Sequence, residues 1–361
     1  MKRWRAVYIT LINTALLIVL LQWGVHGAIL AYQAMAQRML YEPPLNYAVR
    51  ALPDLSPDDL EDLWRVTGWM PFRFGGSAGF LHEQTTSKFV NINQYGIRSN
   101  GDPSRPIDAL DNATWFFGGS TSYGFGVPDN QTIPAYLEQI TGAPVINLAV
   151  RGHGSTMENR LFRTYLRAGY RPRRVVFLDG INEVCEPDLF SEQMKRLTIK
   201  AQEGYRWDFG APVVFAFNTL ANALMVKQPY EREEGPELAL SCTDYGRFNR
   251  LGEIVERNLR MRQAACDMDN VPCHTFIQPF GGVHGQHEDQ RFLASHEARE
   301  LQNLFRHLEP VWSASGATFV TNALDGVSSG LWVDEIHYSP VGNKLIAAAI
   351  ARQLRALDPT P

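Results

Sequence analysis

From Ala113 onward, short apolar runs rich in β-branched and aromatic residues alternate with stretches of helical periodicity. The runs cover residues 114–117, 145–148, 175–178, 275–277 and 318–320. Each is continuous rather than alternating, the pattern of parallel strands covered on both faces. Between them, 132–140, 155–168, 244–265 and 297–315 read as helices. In the second of these, Met157, Leu161, Phe162, Tyr165 and Leu166 recur at helical spacing and share one face. Such βα order predicts an α/β fold with a doubly wound, mostly parallel sheet of about five strands, its site at the carboxyl ends of the strands. Residues 186–243 interrupt the pattern and read as an insertion or cap over one edge.

The N-terminus is a different kind of sequence. Residues 6–32 contain no Lys, Arg, Asp or Glu, and 11–21 is mostly apolar. About 20 such residues span a bilayer as a helix. Trp4, Tyr8 and Trp23 suit the interfaces, and Lys2, Arg3 and Arg5 favour a cytoplasmic N-terminus. This predicts a cytoplasmic tail at 1–5, a single transmembrane anchor at 6–32, a juxtamembrane extension at 33–112 and a periplasmic or extracellular domain at 113–358. The alternative is a cleaved signal peptide ending at Ala34-Met35-Ala36. The apolar stretch is longer than an h-region of about 7–15 residues, which favours the uncleaved signal-anchor.

Composition sets limits on partners. The chain of 361 residues has a net charge of −4, and three of its basic residues lie in the first five positions. A body more acidic than that total, with no basic run, argues against nucleic acid, which needs clustered Lys and Arg. The four cysteines are Cys185, Cys242, Cys266 and Cys273. An even count in an exported domain favours disulfides. Cys266 and Cys273 are close in sequence and are paired here, which leaves Cys185 with Cys242. Free buried thiols are the alternative. With no CxxC, a metal site is not expected.

Small clusters of polar residues follow the strand runs. After the first comes Gly118-Gly119-Ser120-Thr121-Ser122, a strand–turn–helix that exposes a serine hydroxyl. After the second comes Gly152 in Arg151-Gly152-His153-Gly154-Ser155, a backbone N–H at a helix start or a plain turn capped by Ser155. After the third comes Gly180-Ile181-Asn182-Glu183, where an Asn amide can donate to an oxyanion or serve as a turn residue. After the last come Asp334 and His337, then Ser339-Pro340 as cap and first residue of a helix. An Asp three residues from a His can orient its imidazole. Each cluster alone is weak.

Together, in this order, they resemble the four-block layout of the SGNH, or GDSL-like, hydrolase superfamily, and residues 116–127 resemble the first block of its membrane-anchored bacterial members. The resemblance runs from about Ala113 to Leu354. It implies a three-layer α/β/α sandwich with a flavodoxin-like sheet, Ser120 as nucleophile, His337 and Asp334 as the other triad members, and an oxyanion hole of Ser120, Gly152 and Asn182. Two positions depart from the family pattern: Gly119 replaces the usual Asp, and Glu183 replaces the usual Asp of GxND. The function implied is an extracytoplasmic, membrane-anchored serine esterase acting on O-acyl, including O-acetyl, esters of envelope glycans or lipids, with no cofactor. Two alternatives stand beside it. One is a polysaccharide O-acyltransferase fed by a membrane acyl-donor partner; the other is a non-catalytic binding or assembly subunit that keeps the fold.

Other residues have two readings. His153 either contacts substrate or is an exposed loop residue, and His274 reads as structural. Asp179 and Glu183 read as anchors of the 180–182 turn in preference to substrate contacts. His284 and His287, with Glu288 and Asp289, read as a solvated loop in preference to a metal site.

Overall fold

The five apolar runs pair into one parallel sheet. In a computed structural model of the chain the described residues are 49–69, 71–104, 107–184, 248–284, 287 and 290–357, with isolated positions between 4 and 27. The chain divides into two compact units, Met1–Glu42 with Glu203–Leu238 and Pro43–Gln202 with Ala239–Pro361. In the first unit, Trp4, Ile12, Leu16, Leu17, Leu20, Leu21 and Trp23 are helical and exposed. Among the described residues no helix is long and apolar enough to cross a membrane, and most of 6–32 lies outside them. The expected insertion at 186–243, with Cys185 and Cys242, lies outside them too.

The second unit begins with helix α1 (Pro57–Trp69). Ser56 caps it by accepting the Asp59 N–H at 3.2 Å, and Asp58 and Asp59 sit in its positive first turn. Two short antiparallel pairs follow, Phe72–Phe74 with Phe80–His82 and Thr85–Thr86 with Asn91–Ile92. Then comes the α/β series: β1 (Thr114–Gly118), α2 (Ser120–Tyr123), α3 (Ile133–Thr141), β2 (Val145–Asn147), α4 (Ser155–Arg167), β3 (Arg174–Asp179), α5 (Phe248–Asp269), β4 (Cys273–Ile277), α6 (His296–Ala314), β5 (Thr318–Phe319) and α7 (Pro340–Leu357). A short helix, Gln290–Ala294, precedes α6.

The sheet order is β2-β1-β3-β4-β5, all parallel. All five residues of β1 are buried, which explains its unbroken apolar character. Phe116, Val176, Leu178 and Phe276 face one way, against Ile133 and Leu137 of α3 and Ile346 and Ile350 of α7. Trp115, Phe117, Val175 and Phe177 face the other way, against Leu161 and Phe162 of α4 and Ala265 and Cys266 of α5. Each Val, Leu, Ile or Phe among them stabilises the fold by about 1.5–3 kcal/mol on burial. The result is the expected α/β/α layering.

Helix ends follow local chemistry. Thr132 accepts the Ala135 N–H at 3.2 Å to start α3, and Gly142, at φ 67°, ends it. Helix α5 runs past the expected 265 to Asp269 and stops at Asn270, which adopts φ 53°. The chain then turns back into β4, and the disulfide Cys266–Cys273 ties the two elements, as the spacing predicted.

Candidate active site

In a parallel sheet of this order the chain leaves β1 for one side and β3 for the other, and a crevice opens between their carboxyl ends. Ser120 follows β1 and Asn182 follows β3. Gly118, at φ 155°, makes the exit from β1: a Cβ there would lie 2.1 Å from Ser122 Oγ. Ser120, half-buried, is the first residue of α2. Arg98 fixes the far end of this short helix. Its buried guanidinium donates to the carbonyls of Tyr123 (2.8 Å), Gly124 (2.7 Å) and Val127 (2.7 Å), and pairs through Nε with Asp129 Oδ1 at 2.9 Å. The Asp129 carboxyl is pushed up by burial, with the Arg98 charge opposing.

His337 Nε2 lies 2.8 Å from Ser120 Oγ, and its Nδ1 lies 2.7 Å from Asp334 Oδ2. Asp334 Oδ1 accepts the N–H groups of Ile336 (2.8 Å) and His337 (2.6 Å). Burial alone would raise the Asp334 pKa, but the charge and hydrogen bonds of His337, with the Ile336 N–H, hold it below the usual carboxylate value. An ionised carboxylate only accepts, so Nδ1 carries the proton and Nε2 is left to accept from Ser120. Ser339 accepts the Gly342 N–H at 3.1 Å to start α7 just beyond. Phe125 stacks on the imidazole with ring centres 4.4 Å apart, and Trp64 of α1 packs edge-on to Phe125 at 5.0 Å.

On the other side of Ser120, the Asn182 amide donates to His153 O at 2.5 Å. Among the described residues its second amide N–H has no acceptor. Gly152 is exposed, at φ 78°. Among the described residues neither its N–H nor that of Ser120 has an acceptor. Glu183 is buried and its two oxygens accept the N–H groups of Ser155 (2.9 Å) and Gly180 (2.5 Å), so it does anchor its turn. Ser155 is the first residue of α4, with Gly154 at the capping position.

Beneath this arm lies a buried polar cluster. Arg262 of α5 donates to Asp179 Oδ2 (2.9 Å), Glu158 Oε2 (3.2 Å), Asn159 Oδ1 (2.9 Å) and Thr275 Oγ1 (3.0 Å), and its guanidinium stacks 3.8 Å over Phe177. Glu158, Asp179 and Glu183 each place an oxygen within 4.8 Å of the others. Arg262 supplies positive charge to this group.

His153 is neither exposed nor placed for substrate: it is buried, its ring is 2.9 Å from Phe80 O, and burial pushes its pKa down to about 4. His274 is the second residue of β4, away from the carboxyl ends. His284 and His287 are not solvated. His284 Nε2 meets Glu309 Oε1 at 3.0 Å, and His287 packs 4.8 Å from Trp332. Glu288 and Asp289 lie outside the described residues. Arg98, Trp64, Phe125 and Arg262 were not legible as site residues, because nothing near them in sequence marks their distant partners.

No family model matches the chain, and no curated protein sequence matches it. Among solved structures it is similar to Est24, a carbohydrate acetylesterase from Sinorhizobium meliloti, at 13% identity and TM-score 0.39, covering 68% of this chain and 100% of that one. It is also similar to the esterase EstA from Pseudoalteromonas sp. at 13% identity and TM-score 0.36, covering 69% and 100%. A third is a GDSL-like lipase from Bacteroides thetaiotaomicron, at 12% identity and TM-score 0.36, covering 72% and 94%. Likeness at this level does not decide activity; that rests on the site.

Proposed function

We propose that the protein is a serine esterase of SGNH type, anchored in the membrane and facing away from the cytoplasm, acting on O-acyl groups, including O-acetyl groups, of envelope glycans or lipids. The observation that carries this is the relay Ser120–His337–Asp334, with both links at 2.7–2.8 Å. His337 Nε2 takes the proton as Ser120 Oγ attacks an ester carbonyl. The tetrahedral oxyanion takes hydrogen bonds from the Ser120 and Gly152 N–H groups and the Asn182 amide. His337 returns the proton to the leaving alcohol, and the acyl group stays on Ser120. Water, activated by the same imidazole, then releases it.

Supporting the location are the uncharged stretch 6–32, the exposed apolar residues Leu16, Leu17, Leu20 and Leu21, and a disulfide at Cys266–Cys273, a bond that persists in oxidising compartments. The test of the chemistry uses the full chain in detergent with p-nitrophenyl acetate. Turnover is expected for the wild type and not for Ser120→Ala. Equal turnover by the two would end the assignment. The acceptor is read by adding a glycan: acyl transfer to it in place of hydrolysis would replace esterase with acyltransferase.

A further inference from the structure

We propose that Glu183 is a positioning residue for the oxyanion donor Asn182, and that Gly119 is the gap that admits its amide; this rests on the esterase reading above. The two departures from the SGNH pattern then form one device.

Gly119 has φ −86° and ψ −148°, outside the left-handed region, so backbone strain does not demand glycine there. Space does. A Cβ at residue 119 would lie 2.1 Å from Asn182 Nδ2, 2.6 Å from its Cγ and 2.9 Å from its Oδ1. All three atoms belong to the amide head. The amide is therefore closed against the backbone of the residue before Ser120. An Asp at 119 could not coexist with this placement.

Something must hold the amide so close. One N–H is fixed on His153 O, but the turn that carries Asn182 is set by its neighbour. Glu183 spans two loops. One oxygen closes the 180–183 turn on Gly180 N–H, and the other takes Ser155 N–H in the first turn of α4. The helix start favours this negative charge. Residues 152–154 lie directly before that anchored position, so the same carboxylate sets the loop carrying Gly152 and His153 relative to Asn182. An Asp at 183 is shorter by one methylene and cannot hold both N–H groups from the same backbone position. The longer side chain and the missing one thus serve a single donor.

A double-mutant cycle on the full-length protein with p-nitrophenyl acetate tests this. Asn182→Ala should lower kcat by ~10²–10³, the cost of one oxyanion donor, with KM little changed. Gly119→Ala should lower kcat by ~10² with the same unchanged KM, and should cost almost nothing further in the Asn182→Ala background. Glu183→Gln and Glu183→Asp should both behave like Gly119→Ala, because neither the Gln amide nor the shorter Asp carboxylate can accept both N–H groups. Independent, multiplying losses of Gly119→Ala and Asn182→Ala would overturn the proposal. So would a loss confined to KM. If Glu183→Gln does not fold, the Gly119–Asn182 cycle decides alone. Loss of turnover in Ser120→Ala alongside multiplying effects sinks only this proposal; full turnover in Ser120→Ala sinks it together with the esterase reading.

Discussion

The two arms of the proposed site, which meet at Ser120, are built in opposite ways. The acid–base arm is local: Asp334 and His337 are three residues apart, and Asp334 takes two backbone N–H groups of its own turn with one oxygen and the imidazole with the other. The oxyanion arm is assembled from the ends of three strands. It is held from below by Glu183 and by Arg262, which comes from α5 and reaches residues 83 and 104 positions away in sequence. A local arm needs only to be docked; a dispersed arm needs the whole interior in place. Changes to the first should therefore cost chemistry, and changes beneath the second should cost stability as well.

The largest effects are expected in the local arm. His337→Ala removes the base and should lower kcat by ~10⁵–10⁶. Asp334→Asn should cost ~10⁴, since an amide in place of the carboxylate no longer holds the Nδ1 proton. Urea unfolding should show both variants close to wild-type stability. Asp334 accepts two backbone N–H groups through Oδ1, and an Asn carbonyl oxygen can do the same. A large stability loss in Asp334→Asn would show that this arm is not self-contained.

Arg262→Met tests the other side. It leaves the buried Asp179 and Glu158 without their cation and should destabilise the fold by about 3–5 kcal/mol in urea unfolding. Turnover should drop too, as the β3 exit loosens. Unchanged stability would mean that the buried carboxylates are carried by other partners, and the contrast between the arms would lose its basis.

A smaller effect concerns acid. His153 sits within the oxyanion arm and titrates at about 4 when folded, against 6.5 for an ordinary His. The unfolded chain therefore binds this proton first as pH falls. Stability is unaffected by His153 above about pH 6.5, declines between 6.5 and 4, and levels off below 4, for a total of about 3 kcal/mol. His82, also buried and held well below the usual value by burial, adds to the same trend. Unfolding free energies measured from pH 7 to 4 should follow this slope, and His153→Gln should flatten it. No flattening would place the acid sensitivity outside this arm.

The sequence by itself determined the five strands, because a strand covered on both faces must be apolar throughout, as in β1. It determined the helix start at Ser339, because capping is chemistry between near neighbours. It also marked Ser120, Asp334 and His337, because residues placed after strands in a doubly wound sheet converge at one edge. What it could not determine are contacts whose partners are remote. Arg98 stands in the stretch read only as an extension, yet it caps the turn that begins at Ser120 from 25 residues away in sequence. His153 looked like a loop residue and is buried against Phe80, a contact that exists only once the short strands before β1 fold over it. In sequence, Gly119 and Glu183 read as departures from the family pattern, with Glu183 as an anchor of its own turn. Only the tertiary structure brings Asn182 against the one and carries the other between Ser155 and Gly180, because steric exclusion and hydrogen-bond reach are properties of distances between loops.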